Sequence, residues 1–462
     1  MSTLVAKRET ESSVHLGEGK TPSMSVLPQS CLVDENLDII LEGLEPLAQY
    51  TVAARLTESG IHAASYAHFV SDSLGCISTS KLPSLSGSYS GMEANGLLWS
   101  MDIIPGQKPG RRIMKKDVTL PFEVEFSVYQ GHISPIVPIL DGDGLDSVLG
   151  SKTREVEPIM KQVQRRFYLA DGVKRIAVRD GNIRGTFFIP AGDGPFPAVV
   201  DLFGTAGGLL EFRSALLASR GIASLALAFF AFEDLPADLS GGISLDYFEE
   251  AIDWLYDQPS VKRHGVGVLG VSAGAYIAVL CAELFSKVKA VVSINGSIVN
   301  YIAPMLYKGK VVKEMGLADW GACEFIEGKD DALSFKNVYG SISDISKMSN
   351  CTLNLELSDA SYLMIVSGGD VNIHPMLSFM MVDRLREFGK GDNCECLFLD
   401  KAGHLLEPPH TMHCYHSYHK AFSACFAWGG EKVAHAQAQE KSWKKIQQFF
   451  KLKLSESLKS KL

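Results

Sequence analysis

No stretch of this chain approaches the roughly 20 apolar residues that span a bilayer. The longest, Ile222 to Phe232, reads instead as a core strand. Basic residues are not in excess: 44 Lys and Arg face 53 Asp and Glu, for a net charge of -9, and no dense Lys/Arg block stands out. That balance argues against a nucleic-acid partner. The nine cysteines include no C-x-x-C pair, and Cys394 and Cys396 make only a C-x-C, which does not favour a metal site. Their odd number fits reduced thiols in an intracellular setting. A signal-peptide core and a Walker motif are also missing, which disfavours secretion and nucleotide hydrolysis. No cofactor is expected.

What is present is a chain of 462 residues, too long for one comfortable hydrophobic core, so two domains are predicted. Apolar residues make up 46% and charged residues 21%, an ordinary globular balance. Residues 1–31, rich in Ser, Thr and Lys but carrying Glu9, Glu11 and Glu18, read as a disordered leader. Residues 32–165 form the first predicted domain. Short runs such as Leu37-Asp38-Ile39 and Val124 to Val128 alternate with period two between turns such as Pro105-Gly106-Gln107. That pattern predicts a small β-sandwich. Residues 131–165, with their prolines, glycines and charges, read as the crossing to the next domain.

The grammar changes over 166–455. Arg175 to Arg179 and Thr186 to Ile189 flank the turn Asp180-Gly181-Asn182 as a hairpin. Apolar runs at Ala198–Leu202, Ile222–Ala228, Val266–Leu269, Ala290–Ile294, Tyr362–Val366 and Glu395–Leu399 then alternate with helical segments such as Leu245, Phe248, Ile252 and Leu255 after Ser244. Near-continuous apolar strands separated by helices predict an α/β domain whose parallel sheet is covered on both faces. Such sheets carry their chemistry at the carboxyl ends of the strands. Residues 298–361, with Trp320, Phe325 and Phe335, break this rhythm and read either as a lid or as surface decoration.

The most informative segment is Gly270-Val271-Ser272-Ala273-Gly274, set between a predicted strand and a predicted helix. Strand, G-x-S-x-G, helix is the context of a nucleophile elbow. A serine hydroxyl attacks only when a positioned base takes its proton and an acid orients that base, here in the order Ser, Asp, His. Asp370 follows the strand Tyr362–Val366, and His404 follows Glu395–Leu399 after Gly403. His374 lies on the wrong loop and Asp359 precedes its strand. His410, His413, His416 and His419 recur at near-helical spacing, which reads as a surface or partly packed helix face rather than a metal site. Acyl chemistry also needs donors for an oxyanion. Ala273 supplies one, and the second comes from the Gly-rich loop Phe203 to Gly208, from Thr205 or Ala206.

Most of the chain, from about residue 32 to 450, resembles the acyl-CoA thioesterase and bile acid-CoA:amino acid N-acyltransferase family. The likeness is carried by Gly96-Leu97-Leu98-Trp99, Val200 to Thr205, Gly207 to Glu211, Phe232 to Pro236, Tyr247 to Ala251 and Ile294-Asn295-Gly296-Ser297. Gly403-His404 with Glu407-Pro408-Pro409, and Trp428-Gly429-Gly430, complete it. The resemblance implies an immunoglobulin-like β-sandwich before an α/β-hydrolase domain, with a triad at Ser272, Asp370 and His404. It also implies cleavage of acyl-CoA thioesters.

Acyltransferase members resemble this pattern with cysteine at the elbow, so Ser272 favours hydrolysis, with N-acyl transfer to an amino acid as the alternative. Ala273 stands where thioesterases often carry lysine, and Val371 and Ile373 replace His and Trp beside the acid. Arg111, Arg112, Lys115 and Lys116 are candidate partners of the coenzyme A phosphates; their ordinary reading is a solvated basic strand edge. The tail, 456–462, ends in Ser460-Lys461-Leu462, the tripeptide read by the peroxisomal import receptor, so a peroxisomal location is expected.

Overall fold

The computed structural model describes residues 21–136, 157–339 and 349–455. Most of the expected leader, the crossing segment around 137–156 and the whole tail with Ser460, Lys461 and Leu462 lie outside those residues. Among the described residues, no helix is long and apolar enough to cross a membrane.

The N-terminal part consists of two sheets around one core. Ser23–Leu27, Asp38–Glu42 and Ile77–Ser78 form a three-stranded sheet. A larger one runs in the order Ser30–Leu32, Met160–Phe167, Phe122–Gln130, Gln49–Glu58, Ile61–Val70, Ser86–Gly87, with Asp102–Ile103 paired to Ile61–Val70. Val26, Ile39 and Leu41 from the first meet Val52, Phe69 and Phe126 from the second.

Two expectations are corrected here. The leader reading fails from Ser23 onward, because Ser23–Leu27 pairs antiparallel with Asp38–Glu42 and buries Val26. One buried apolar residue in a serine-rich strand leaves little periodic signal. The crossing reading of 131–165 fails over Met160–Phe167, which pairs with Phe122–Gln130 and carries the sheet past residue 165. Its inward face is polar. Gln164 and Arg166 are buried, and the Arg166 guanidinium donates to Val33 O at 2.8 Å and Glu35 O at 2.7 Å. A hydropathy pattern cannot reveal a strand whose buried positions are satisfied by hydrogen bonds.

The second part is built on one eight-stranded sheet, whose strands we number β1 (Lys174–Val178), β2 (Gly185–Ile189), β3 (Ala198–Leu202), β4 (Ala223–Leu227), β5 (Val266–Val271), β6 (Val288–Ile294), β7 (Ser361–Ser367) and β8 (Cys394–Leu399). Its order is β1-β2-β4-β3-β5-β6-β7-β8, with β2 antiparallel to its neighbours and the rest parallel. This is the topology of the α/β-hydrolase fold. Its helices are α1 (Phe212–Ser219), α2 (Leu245–Asp257), α3 (Ala273–Leu284), α4 (Pro375–Glu387) and α5 (Lys432–Lys453).

Side chains alternate across the strands, as period two requires. Val200, Val268, Val291 and Met364 pack with α2, α3 and α4, whereas Val199, Leu269, Val292 and Ile365 pack with α1 and α5. Both faces are therefore dry, which is why these strands read as continuous apolar runs. Residues after β6 form the hairpin Met305–Tyr307 and Lys310–Lys313. A small sheet of Glu324–Ile326, Ala332–Ser334, Ala424–Ala427 and His416–His419 lies further along the chain. The helix reading of the four histidines is thus overturned: His410 and His413 lie in a loop and His416–His419 is a strand. Among the described residues, no three His, Cys, Asp or Glu side chains converge to hold a metal ion.

A buried ion pair joins β3 to α1. Arg213 Nε donates to Asp201 Oδ1 at 2.7 Å, its Nη2 bonds the same oxygen, and Leu202 O accepts at 2.9 Å. The guanidinium also lies over the Phe203 ring, 4.3 Å from its centroid, at the start of the Gly-rich loop. Removing one partner of such a pair leaves an uncompensated charge in the interior. Asp201→Ala is expected to lower unfolding free energy by about 3–5 kcal/mol. Urea denaturation checks this, and a loss below about 1 kcal/mol would contradict it.

Candidate active site

The turn between β5 and α3 holds Ser272 at φ 57° and ψ -124°, a region few residues other than glycine adopt. Two glycines allow it. A Cβ on Gly270 would collide with the backbone carbonyl of Gly274, and one on Gly274 would lie 2.5 Å from Phe203 O and 2.8 Å from Leu202 O. The backbone is pinned from the neighbouring strand, where Ile294 O accepts from Ser272 N–H at 3.0 Å. Ala273 opens α3, so its N–H has no intrahelical partner and sits at the positive end of the helix dipole. These constraints leave the serine side chain half-buried at the carboxyl edge of the sheet.

β7 and β8 are adjacent and parallel, so the loops that follow them emerge side by side. Asp370 stands on the first and His404 on the second. His404 Nδ1 donates to Asp370 Oδ2 at 2.6 Å, with both side chains buried. The other carboxylate oxygen accepts from Asn372 N–H at 2.7 Å and Ile373 N–H at 2.9 Å. These three donors leave neither carboxylate oxygen unpaired. With the Nδ1 proton assigned by that partner, Nε2 is left as an acceptor. Nε2 is buried and without a hydrogen-bond partner among the described residues. His404 and Ser272 line the same cavity, of about 310 Å³, and no hydrogen bond joins them in this structure. Such contacts commonly tighten only with substrate in place.

Residues that motif reasoning gave no role hold this pair. Asn295, at φ 49° just past β6, donates from Nδ2 to His404 O at 2.7 Å and accepts from Ser367 N–H at 2.8 Å. It therefore ties the His404 loop to the end of β7. His404 N–H donates to Trp428 O at 2.8 Å, and the Trp428 ring stacks on the imidazole at 5.6 Å and 15°. Gly403 N–H donates to His435 Nδ1 at 3.0 Å. For Asn295 the signal in the sequence was its place in the family motif Ile294-Asn295-Gly296-Ser297, which gave it no role.

Ser272 also lines a second cavity, of about 230 Å³, walled by Phe230, Tyr276, Tyr301, Trp320, Phe335 and Tyr339. The irregular excursion after β6 thus forms an apolar wall, although Phe325 points to solvent. The Gly-rich loop borders Ser272 closely, since a Cβ on Gly204 would lie 2.9 Å from the Ser272 Cβ. Thr205 borders both cavities and Ala206 the one shared with His404; the Thr205 hydroxyl is hydrogen-bonded to His419 Nε2 at 3.1 Å.

The basic residues need correction. Arg112 is paired with Glu407, and Lys115 with Glu58 at 3.1 Å and Pro121 O at 2.9 Å, so both are structural. Lys116 is exposed and lines neither cavity, and the segment is a loop rather than a strand edge. Arg111 reaches the Ser272 cavity without a carboxylate partner among the described residues.

The sequence matches two family models, the acyl-CoA thioester hydrolase/BAAT N-terminal region over residues 34–180 and the BAAT/acyl-CoA thioester hydrolase C terminal over 243–456. It is 36% identical to mouse acyl-coenzyme A thioesterase 5, covering 94% of this chain and 97% of that one. Mouse peroxisomal succinyl-coenzyme A thioesterase is 35% identical over 93% of this chain and 96% of its own. Mouse bile acid-CoA:amino acid N-acyltransferase is 35% identical over 95% and 99% respectively.

Burial pushes His435 and His410 down to about 3. Because the folded state disfavours their charged forms, the unfolded chain binds these protons first as acid is added. Stability is whole above about pH 6.5 and is lost towards pH 3, at up to ~1.4 kcal/mol per pH unit per histidine. His435→Asn, which keeps an acceptor for Gly403 N–H, is expected to reduce the acid slope by about one proton. Denaturant midpoints from pH 7.5 to about 5 measure it, and an unchanged slope would contradict the assignment.

Proposed function

Because the chain belongs to the family of acyl-CoA thioester hydrolases and bile acid-CoA:amino acid N-acyltransferases, we propose that it hydrolyses fatty acyl-CoA thioesters through an acyl-enzyme on Ser272. The observation that carries this reading is the buried His404–Asp370 hydrogen bond, with Nε2 left unpartnered on a side chain that lines the cavity shared with Ser272. In the proposed reaction, Ser272 Oγ attacks the thioester carbonyl while its proton passes to His404 Nε2. The oxyanion is met by Ala273 N–H and by an amide of Thr205 or Ala206, each such donor contributing about 3 kcal/mol. Collapse breaks the C–S bond, and the thiolate leaves with the proton held by His404. Water, deprotonated by the same nitrogen, then releases the fatty acid and restores Ser272.

The apolar cavity walled by Tyr301, Trp320, Phe335 and Tyr339 suits an acyl chain, and the His404 side suits the leaving thiol arm. A thiolate departs more readily than an alkoxide because thiols ionise near pH 8.5, so deacylation is the demanding step. An oxygen ester on serine favours water as acceptor, which separates this reading from N-acyl transfer. The N-terminal sandwich is immunoglobulin-like in this reading, and residues 166–455 carry the catalysis. The peroxisomal address rests on Ser460-Lys461-Leu462 and on the likeness to one relative named peroxisomal.

Release of free thiol from a panel of acyl-CoA substrates, with and without glycine or taurine, tests the proposal. Ser272→Ala is expected to lower kcat by at least about 10⁴-fold. Unchanged turnover in that variant would remove Ser272 from the reaction, and a dominant amide product would replace hydrolysis by acyl transfer.

A further inference from the structure

A cleft of about 640 Å³ continues from the His404 cavity, and Gly110, Arg111 and Arg112 line both. Its wall carries five cations, Lys108, Arg111, Arg112, Lys329 and Lys432, against the carboxylates of Asp102 and Asp330. In a chain of net charge -9 this is a local inversion of sign. Two of the cations are already paired, Lys432 with Asp102 at 2.7 Å and Arg112 with Glu407. Asp330 is engaged by His416 Nε2 at 2.7 Å and by Gly110 N–H at 3.1 Å. Lys108, Arg111 and Lys329 remain without a carboxylate partner among the described residues.

Like charges gathered without partners repel one another and raise the local potential, and a cleft focuses that potential on an anion. The segment bearing Arg111 is held in place, because Gly110 O accepts from Tyr418 N–H at 2.9 Å while Gly110 N–H binds Asp330. The volume lies within the range of nucleotide-sized sites. An acyl chain in the apolar cavity leaves the opposite side of Ser272 for the thiol arm, and that side opens into this cleft.

We propose that the cleft lined by Lys108, Arg111 and Lys329 binds the phosphates of the nucleotide end of coenzyme A. The inference rests on the acyl-CoA reading above. Arg111, with its planar fork, sits where the two cavities meet, and the two lysines stand further along as point charges. Isothermal calorimetry with free coenzyme A, adenosine 3′,5′-bisphosphate and pantetheine tests it on the full chain. Lys108 and Lys329 are exposed and line only the cleft, so Lys108→Ala/Lys329→Ala leaves the core intact.

The parent is expected to bind coenzyme A and the bisphosphate, more weakly as salt is raised. The double variant is expected to lose about tenfold in affinity for both, while pantetheine changes by less than about twofold. Equal coenzyme A affinity in parent and variant, or no binding of the bisphosphate by the parent, would overturn the site. A parent that binds both nucleotides with the expected loss in the variant, yet frees no thiol from any acyl-CoA, would uphold the cleft and overturn the hydrolytic reading.

Discussion

The bond between His404 Nδ1 and Asp370 Oδ2 joins residues 34 positions apart on loops that leave two neighbouring strands. A buried carboxylate is costly unless its oxygens are occupied. Here two backbone N–H groups take one oxygen and the imidazole takes the other, so neither is left unpaired in the interior. That bond in turn assigns the Nδ1 proton and leaves Nε2 without a partner among the described residues, on a side chain that lines the serine cavity. Asn295 and the backbone at Trp428 hold the His404 loop against the end of β7, and His435 braces its preceding glycine. Loss of any one of these would leave a buried polar group unpaired, at about 1–3 kcal/mol each.

The serine side is governed by sterics together with the Ser272 N–H to Ile294 O hydrogen bond. β5 ends among strands packed on both faces, and the close approach of Gly270, Gly274 and Gly204 sets Ser272 at the border of two cavities. One cavity is walled by aromatic side chains and the other opens towards cations without a carboxylate partner among the described residues. A substrate with an apolar tail and an anionic head, joined at a reactive carbonyl, matches that division. The Arg213–Asp201 pair supports the same region from behind, since it anchors the strand and the Phe203 ring from which the Gly-rich loop departs.

Much of this arrangement was legible because the sheet follows simple rules. Strands buried on both faces are continuous apolar runs, so the G-x-S-x-G turn and the loops after two later strands could be located, and with them Ser272, Asp370 and His404 as candidates. Polar interiors were not legible. Gln164 and Arg166 hid a strand by satisfying buried positions with hydrogen bonds, and Arg112 and Lys115 resembled ligand-binding cations although Glu407 and Glu58 already hold them. The spacing of His410, His413, His416 and His419 matched a helix only by coincidence, because pairing of His416–His419 with Ala424–Ala427 is a long-range choice that local periodicity does not record. Asn295 was visible only within a family motif; its role as a tie between two loops needs three dimensions.

The central claim is that one serine becomes acylated. Acid-quenching the enzyme during turnover of a slow acyl-CoA, followed by mass mapping of the peptides, tests it directly. The account predicts a single acyl adduct on the peptide containing Ser272, stable to neutral hydroxylamine and cleaved at alkaline pH as an oxygen ester is. An adduct on any other residue, or steady thiol release with no adduct trapped at Ser272, would contradict it.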